Sequence, residues 1–300
     1  MRSLFISMFA VIVLLVARSL SGQGRDEALR RAVEQVAAAE PTSRIVILDR
    51  ASGNVIAARQ LTSASRTLAA PGSVLKPLLL YRALETGQWD SSNRIACNRQ
   101  LVIGRHRLGC SHPNAAPFDA REALAWSCNS YFAGMARALR PGQLMSLLRP
   151  TGLLDTTGLT TGEALAEFRE PASLEEQQLA MLGLSNIRIT PLELAVAYRW
   201  LANELAAHPQ SAATRTVAAG LTDSTDFGMA SGASTSGASI AGKTGTAEGV
   251  TSSGTHGWFA GIAPAQDPRV VIVVFVPSGR GADAAQVAGQ VIAKARLTLR

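Results

Sequence analysis

Two of the chain's three lysines, Lys76 and Lys243, occur in short motifs that also carry hydroxyl groups. The chain has 29 basic residues, so arginine fills almost every other basic position. Arginine holds its proton above pH ~12, whereas burial can lower the pKa of a lysine until its neutral amine acts as a base. These two lysines therefore indicate positions that need an amine, while Lys294 lies outside any motif.

The first motif places Ser73 three residues before Lys76. Side chains three apart lie on one face of a helix, so the pair could form a nucleophile and its general base. The sequence predicts a helix over residues 73–85, with Ser73 at its positive end and Pro77 in its first turn. Pro77 also disfavours helical geometry at Lys76, a conflict that the sequence leaves open. The alternative interpretation is a capping serine followed by a surface lysine.

Two further segments carry side chains suited to the same site. Ser127-Cys128-Asn129 lies between two helical patterns, where its hydroxyl and amide could point into a cleft or bond only the local backbone. Lys243-Thr244-Gly245-Thr246 lies in an apolar strand, and its amine and hydroxyls suit a substrate carboxylate. Glycine inside a strand often marks the close approach of another group. The alternative is an edge strand with a lysine that reaches solvent.

Together, in this order, the motifs resemble the Ser-x-x-Lys, Ser-Asp-Asn and Lys-Thr-Gly set of penicillin-binding proteins and class A β-lactamases. The flanking residues are more similar to the transpeptidase domains of penicillin-binding proteins. The similar segments are residues 70–73, 127–132, 189–195, 242–248 and 256–261. The resemblance extends from about Arg44 to the C-terminus. Two departures are the lack of room for an N-terminal pedestal or glycosyltransferase module, and Leu184-Ser185 in place of a Gln-Gly pair.

The resemblance implies acyl transfer through a serine ester. Ser73 would attack the D-Ala–D-Ala carbonyl of a peptidoglycan stem peptide, or a β-lactam acting as covalent inhibitor, while neutral Lys76 takes its proton. Ser127, linked to both motif lysines, would pass a proton to the leaving amine. The backbone N–H groups of Ser73 and Thr246 would form the oxyanion hole. Substrate binding would fall to Asn129, Lys243, Thr244, Gly245 and Thr246.

Three functions remain as alternatives. A D,D-transpeptidase or carboxypeptidase of the cell wall is favoured. A serine β-lactamase is second, although Glu163, Glu167 and Glu170 lack the Glu-x-x-x-Asn pattern expected around the glutamate that positions a deacylating water in class A enzymes. Class D enzymes share Lys-Thr-Gly-Thr but typically have an apolar residue at the position of Asn129. The third alternative is non-enzymatic, either a β-lactam sensor or an inactive scaffold.

Strand patterns at both ends of the chain enclose a helical middle part. Strands are predicted at 44–49, 54–58, 240–248, 256–263 and 269–276. Helices are predicted at 26–40, 73–85, 119–126, 131–139, 144–148, 174–182, 191–205 and 283–297. Residues 220–239, rich in Gly, Ser and Ala, are predicted to form a loop. The sequence thus predicts an α+β fold of the β-lactamase/transpeptidase kind. An antiparallel sheet built from both chain ends is flanked by helices and carries an inserted all-helical lobe at roughly 86–184.

Composition and the N-terminus limit the setting of this chemistry. A chain with 47% hydrophobic and 17% charged residues can bury a sizeable core. Its scattered arginines and few aromatic residues argue against nucleic acid as a partner. Arg2 and the apolar run at 4–17 predict an export signal at 1–24, followed by a transpeptidase domain at 25–300. Cleavage of that signal and its retention as a membrane anchor both remain open, so the expected location is the periplasm or the outer face of the cytoplasmic membrane.

Export also bears on the three cysteines. Cys97 and Cys110 flank a segment around Gly104 that could be a hairpin, and in an oxidising compartment we expect them to form a disulfide. Cys128 is then left as a small buried thiol. The three cysteines and four histidines show no metal-ligand spacing in the sequence, so neither a metal nor a cofactor is expected.

Overall fold

A computed structural model describes residues 23–113, 117–235, 239–248 and 254–295. The export segment predicted at 1–24 lies outside these residues except for its last two positions. Within the described ranges, no helix combines the length and the apolar character that a bilayer crossing requires.

Nine strands occur in the described residues. They are β1 (Arg44–Asp49), β2 (Val55–Arg59), β3 (Gln100–Ile103), β4 (His106–Gly109), β5 (Glu167–Phe168), β6 (Ile187–Arg188), β7 (Ala241–Glu248), β8 (Thr255–Ala263) and β9 (Val270–Val276). Five of them form an antiparallel sheet in the order β2-β1-β9-β8-β7. The N-terminal β1 pairs along its length with the C-terminal β9. The prediction of one sheet built from both chain ends is therefore confirmed.

The helices of the described residues surround this sheet. They are α1 (23–37), α2 (Leu61–Ala64), α3 (Lys76–Glu85), α4 (Ala120–Ala125), α5 (Asn129–Ala138), α6 (Gln143–Leu148), α7 (Leu174–Met181), α8 (Pro191–Ala207), α9 (Ala212–Asp226) and α10 (Gly281–Lys294). Most lie within a few residues of the predicted helices. The exceptions are the four-residue α2 and α9, which the sequence pattern did not indicate.

Strand β9 shows why the sheet is covered on both faces. Every residue from Val270 to Val276 is buried. Side chains alternate between the faces of a strand, so Val271, Val273 and Phe275 pack into the core shared with the helical lobe. The alternate side chains of β9 enter a second core that contains residues of α1 and α10. The continuous apolar run in the sequence is thus a strand at the centre of three layers.

The structure corrects two features of the predicted middle region. Residues 220–239 do not begin as a loop, because α9 continues to Asp226. Gly220 permits this helix to pack closely on α4, since a Cβ there would lie 3.0 Å from the Arg121 carbonyl oxygen. The lobe is also not helical throughout, because β3 and β4 form a hairpin that turns at Gly104, where φ is 53°. Glycine adopts such a positive φ at little steric cost.

We predict that Asp119→Ala destabilises the fold by about 1 kcal/mol. The Asp119 carboxylate accepts a hydrogen bond from the Glu122 N–H, and Glu122 reciprocates, which forms the capping box expected at the start of α4. Urea unfolding measures the loss. The control is Asp267→Ala, which removes an exposed carboxylate paired with Arg269 and should cost less than about 0.5 kcal/mol. Equal losses in the two variants would contradict the capping role.

Candidate active site

Ser73 lies in a 3-10 turn that leads directly into α3. The turn spans Gly72–Leu75, and α3 begins at Lys76, whose φ and ψ are −55° and −43°. The helix predicted to start at Ser73 therefore starts three residues later. Pro77 falls in the first turn of α3, where a backbone N–H has no intrahelical acceptor to lose. Lys76 is helical despite the proline that follows it, which answers the conflict left open by the sequence.

The serine turn is packed against strand β7 at the edge of the sheet. Gly72 has φ of 57°, and a Cβ on it would lie 2.8 Å from the Thr246 carbonyl oxygen. A Cβ on Gly245 would lie 2.5 Å from the Pro71 carbonyl oxygen. The Gly72 N–H donates to the Gly183 carbonyl at 2.9 Å, which holds the turn from its other side. The expected close approach at Gly245 is confirmed, and it brings the backbones around Ser73 and Thr246 together.

The amine of Lys76 joins the first two motifs. Its side chain is fully buried. Nζ donates to the carbonyl oxygen of Ser127 at 3.0 Å, to Ser127 Oγ at 3.3 Å and to Asn129 Oδ1 at 2.8 Å. It also lies 5.0 Å from the centre of the Phe132 ring. These three acceptors match the three donors of an ammonium. A neutral Lys76 has one donor fewer and can accept a hydrogen bond from the Ser127 hydroxyl, as proton transfer between the two groups requires.

Ser127 adopts a backbone conformation that is unusual for a residue with a side chain. Its φ is 56°, and positive φ in a non-glycine residue is a source of strain that occurs often at functional sites. The conformation arises because α4 ends at Ala125 and α5 begins at Asn129, with fully buried Cys128 between them. Asn129 Nδ2 also donates to the Gly109 carbonyl at 3.1 Å, which ties the motif to the end of β4.

Burial controls the electrostatics of the two motif lysines. It lowers the pKa of Lys76 to about 8, while Coulombic interactions with Cys110 and Cys128 act in the opposite direction. Lys243 is also fully buried. Burial, followed by the positive charge of Lys76, lowers the pKa of Lys243 well below its usual range. The two amines therefore hold one positive charge more easily than two, which helps to make a neutral base available.

The structure gives the residues of the Lys-Thr-Gly-Thr motif different surroundings. Lys243 Nζ donates to the Thr244 carbonyl at 3.1 Å, and no bond from Lys243 to Ser127 occurs among the hydrogen bonds of the described residues. Thr244 is nearly buried, and its hydroxyl donates to the Met229 carbonyl at 3.3 Å. Thr246 is exposed, although its hydroxyl accepts the Gly281 N–H at 2.9 Å. Within this motif, only Thr246 has an exposed side chain, whereas Lys243 and Thr244 are buried.

Several residues that position Ser73 were not assigned a role from the sequence. Trp258 Nε1 and His256 Nε2, both on β8, donate to the Ala70 carbonyl at 2.9 and 2.7 Å. The Tyr198 hydroxyl on α8 donates to the Val74 carbonyl at 2.9 Å. A resemblance around 256–261 was the available signal for two of these residues, but the bonds join segments far apart in the chain, so sequence spacing could not reveal them.

The expected disulfide is wrong in this structure. Cys97, Cys110 and Cys128 are all free thiols. Cys97 and Cys110 do not form an isolated pair. Cys128 and His112 lie at the same site and also contact their sulfur atoms. The ligand atoms of the four residues lie within 4.8 Å of one another. The spacing of the cysteines and histidines along the chain showed no sign of a metal site, yet the fold brings these four residues together.

Comparison with known proteins identifies the family of this chain. The sequence matches the penicillin binding protein transpeptidase domain over residues 44–296, and the chain belongs to this family. It is similar to a peptidoglycan D,D-transpeptidase PbpA of Mycolicibacterium smegmatis, at 27% identity over 246 residues. That match covers 70% of this chain and 50% of the relative, so the chain spans about half the length of the curated protein.

Solved structures share the fold at lower sequence identity. The transpeptidase domain of Burkholderia pseudomallei penicillin-binding protein 3 superposes with a TM-score of 0.77 at 20% identity, covering 93% of this chain and 94% of that one. Pseudomonas aeruginosa PBP2, solved in complex with WCK 5153, gives a TM-score of 0.77 at 21% identity, covering 89% and 74% of the two chains. The predicted fold class is therefore confirmed.

We predict that Gly72→Ala slows acylation of the protein by a labelled penicillin at least about tenfold, because the added Cβ would push the serine turn away from the Thr246 backbone. The matched control is Gly87→Ala. Gly87 has a similar positive φ of 69°, but a Cβ there meets nothing within 4 Å. Both variants carry about 1 kcal/mol of backbone strain, so an acylation rate that falls equally in both would show that strain alone is responsible.

The pKa of Lys76 predicts the pH dependence of acylation. Only the neutral amine accepts a proton, so the rate should rise about tenfold for each pH unit below the pKa and level off above it. The bend is expected near pH 8. Lys76→Met should lower the rate by about 10²–10⁴-fold and remove this bend. Lys294→Met, on the exposed end of α10, makes the same substitution and should preserve both. A bend that survives in Lys76→Met would assign the titration to another group.

Proposed function

We propose that this protein is a penicillin-binding serine D,D-transpeptidase or carboxypeptidase that acts on peptidoglycan stem peptides ending in D-Ala–D-Ala. The observation that carries the proposal is the buried amine of Lys76, bonded to Ser127 and Asn129 one helical turn from Ser73. β-Lactams would react with the same serine as covalent inhibitors. Residues 25–300 would form the catalytic domain.

The proposed reaction begins with attack of Ser73 Oγ on the carbonyl carbon of the terminal peptide bond. Lys76 Nζ takes the hydroxyl proton as the new C–O bond forms. The oxyanion is stabilised by the backbone N–H groups of Ser73 and Thr246, which the close approach of the serine turn to β7 supports. Donors that are already oriented before the reaction contribute strongly, since they need no reorganisation at the transition state.

Collapse of the tetrahedral intermediate breaks the C–N bond and releases D-alanine. Lys76 returns the proton through the Ser127 hydroxyl, 3.3 Å from Nζ, to the leaving amine. Asn129 would hold the substrate amide. Thr246, the exposed hydroxyl of the motif, would bind the terminal carboxylate, whereas the Thr244 hydroxyl expected to share this role is nearly buried and bonded to the Met229 carbonyl. The charge shared between the two lysines would favour the approach of the carboxylate. The acyl-serine then reacts with an acceptor amine in transpeptidation or with water in carboxypeptidation.

A cavity lies next to the residues that lead into the serine turn, and its lining contains none of the proposed catalytic side chains. Its volume is about 450 Å³, and the residues that line it include Ala69, Ala70, His106, Arg188 and Glu248. Pockets of about 300–1,000 Å³ commonly hold small ligands. The arginine and the glutamate give the lining both signs of charge, which is compatible with a peptide that carries amine and carboxylate groups.

The surroundings of the glutamates favour this function over a class A β-lactamase. Glu163 accepts hydrogen bonds from Thr157 and Thr160, so its carboxylate is occupied within one loop. Glu170 accepts the Gly142 N–H at 2.8 Å. Both carboxylates are thus engaged in local hydrogen bonds. We therefore expect a long-lived penicillin adduct.

The N-terminal segment supports a proposal about location. An export signal at 1–24 would deliver the domain to the periplasm or to the outer face of the cytoplasmic membrane, where peptidoglycan is assembled. Retention of that segment would add membrane association, and its cleavage would release the domain.

The decisive experiment is acylation by a labelled penicillin, followed by peptide mass mapping and measurement of the adduct's lifetime. The adduct should form on Ser73, be absent in Ser73→Ala and persist in the control Ser231→Ala, which alters an exposed serine. A synthetic D-Ala–D-Ala peptide should release D-alanine. Failure of a folded protein to form the adduct would contradict the proposal, and rapid turnover of the adduct would identify a β-lactamase.

A further inference from the structure

Four side chains beside the candidate active site form a compact cluster of sulfur and nitrogen ligands. They are Cys97, Cys110, His112 and Cys128, and the atoms through which they could bind a metal all lie within 4.8 Å of one another. Cys128 is fully buried, His112 and Cys110 are nearly so, and Cys97 is half-buried. Burying titratable groups away from water costs free energy unless each group has a bonding partner. The cluster therefore indicates that these side chains bind something together.

The histidine is oriented as a metal ligand. His112 Nδ1 lies 2.8 Å from the Pro113 carbonyl oxygen, which can only accept, so Nδ1 carries the proton. Nε2 is then the nitrogen with the free lone pair, and it lies 3.2 Å from Cys97 Sγ. Histidines that bind zinc through one ring nitrogen typically donate the N–H of the other to a backbone carbonyl, which fixes the tautomer in this way.

We propose that Cys97, Cys110, His112 and Cys128 bind one structural Zn²⁺ ion. Three thiolates and one imidazole are a common ligand set for tetrahedral structural zinc, whereas Mg²⁺ and Ca²⁺ prefer oxygen ligands. Metal–ligand bonds of about 2.0–2.3 Å place the ligand atoms of a tetrahedral site about 3.3–3.8 Å apart. Shifts of roughly 1 Å would close the present cluster around an ion. With four protein ligands the ion has no open position for substrate.

The site would connect three parts of the chain that meet at the catalytic motifs. Cys97 precedes β3, Cys110 and His112 follow β4, and Cys128 lies in the turn between α4 and α5. Cys128 is flanked by Ser127 and Asn129, the residues that hold the Lys76 amine. Bonding Cys128 to an ion would therefore fix the strained turn and the two side chains on either side of it.

The two other bonds around the cluster support this role. Cys110 Sγ is 3.3 Å from the Asn129 backbone nitrogen, and Cys97 Sγ is 3.2 Å from Ser130 Oγ. The Asn129 N–H donates to Cys110. The Cys97 thiol donates to the Ser130 hydroxyl, which would donate in return to a Cys97 thiolate. Such donors commonly surround metal-bound sulfur and stabilise its charge. The β3–β4 hairpin and the start of α5 are thus already joined through sulfur, and a metal would make that connection rigid.

The first test measures metal in the intact protein. The full chain is purified without added reductant, equilibrated with Zn²⁺, dialysed against a chelator and analysed by mass spectrometry of its metal content. We expect about one zinc per chain. Replacement of zinc by Co²⁺ should give the visible bands of tetrahedral cobalt and the near-ultraviolet bands of thiolate–cobalt charge transfer. A protein that retains no metal and gives no such bands would overturn the proposal, as would isolation with a disulfide among the three cysteines.

Variants then identify the ligands. Cys97→Ser exchanges sulfur for oxygen at the least buried ligand and should lose most of the bound zinc and weaken the charge-transfer bands. The control is His208→Asn, which alters an exposed histidine at the end of α8 and should keep one zinc. Cys97→Ser with full zinc content and unchanged cobalt bands would overturn the four-ligand assignment. If this variant does not fold, the cobalt spectrum of the parent protein still decides the outcome.

The metal measurement needs no penicillin, so it stands apart from the proposed acyl transfer. Where zinc is bound, its removal from the parent protein should slow acylation several-fold and zinc should restore it. If the acylation rate is the same with and without bound zinc, the hypothesis that the ion positions Ser127 and Asn129 is wrong.

Discussion

The candidate site depends on one buried amine. Removing an ammonium from water is costly unless it is hydrogen-bonded or gives up its proton. Lys76 meets both conditions, because one tripeptide supplies three acceptors while burial lowers its pKa to about 8. Those acceptors come from a backbone carbonyl, a hydroxyl and an amide, and they converge only if the chain between α4 and α5 turns sharply. The positive φ of Ser127 follows from that requirement.

A second constraint is the contact between the serine turn and the edge of the sheet. Gly72 and Gly245 leave no room for a Cβ between the two backbones, and Trp258, His256 and Tyr198 hold the turn through its carbonyl groups. A strand edge presents unpaired backbone groups, and here the turn lies against part of it. The same packing that covers the edge also brings the proposed oxyanion donors together, so stability and the geometry for chemistry arise from one contact.

Sequence patterns predicted the sheet well because burial on both faces leaves a strong signal. The apolar runs of β1, β8 and β9 are continuous for this reason. The capping box of α4 was also predictable, because Asp119 and Glu122 are only three residues apart. The last part of α9, from Gly220 to Asp226, was mistaken for a loop, since Gly220 resembles a helix breaker unless its close contact with α4 is known. The cysteine–histidine cluster and the turn at Ser127 could not be predicted, because both depend on contacts between segments distant in the chain.

The choice of lysine at two positions follows from their burial. Lys76 and Lys243 are both fully buried, and the charge of one lowers the pKa of the other. Two arginines would hold two permanent charges in the same dry space, since a guanidinium does not release its proton. Lysines allow the pair to carry a single charge, as the proposed proton transfer requires. The scarcity of lysine elsewhere in the chain therefore makes these two positions conspicuous, and the structure provides the physical reason for an amine at each.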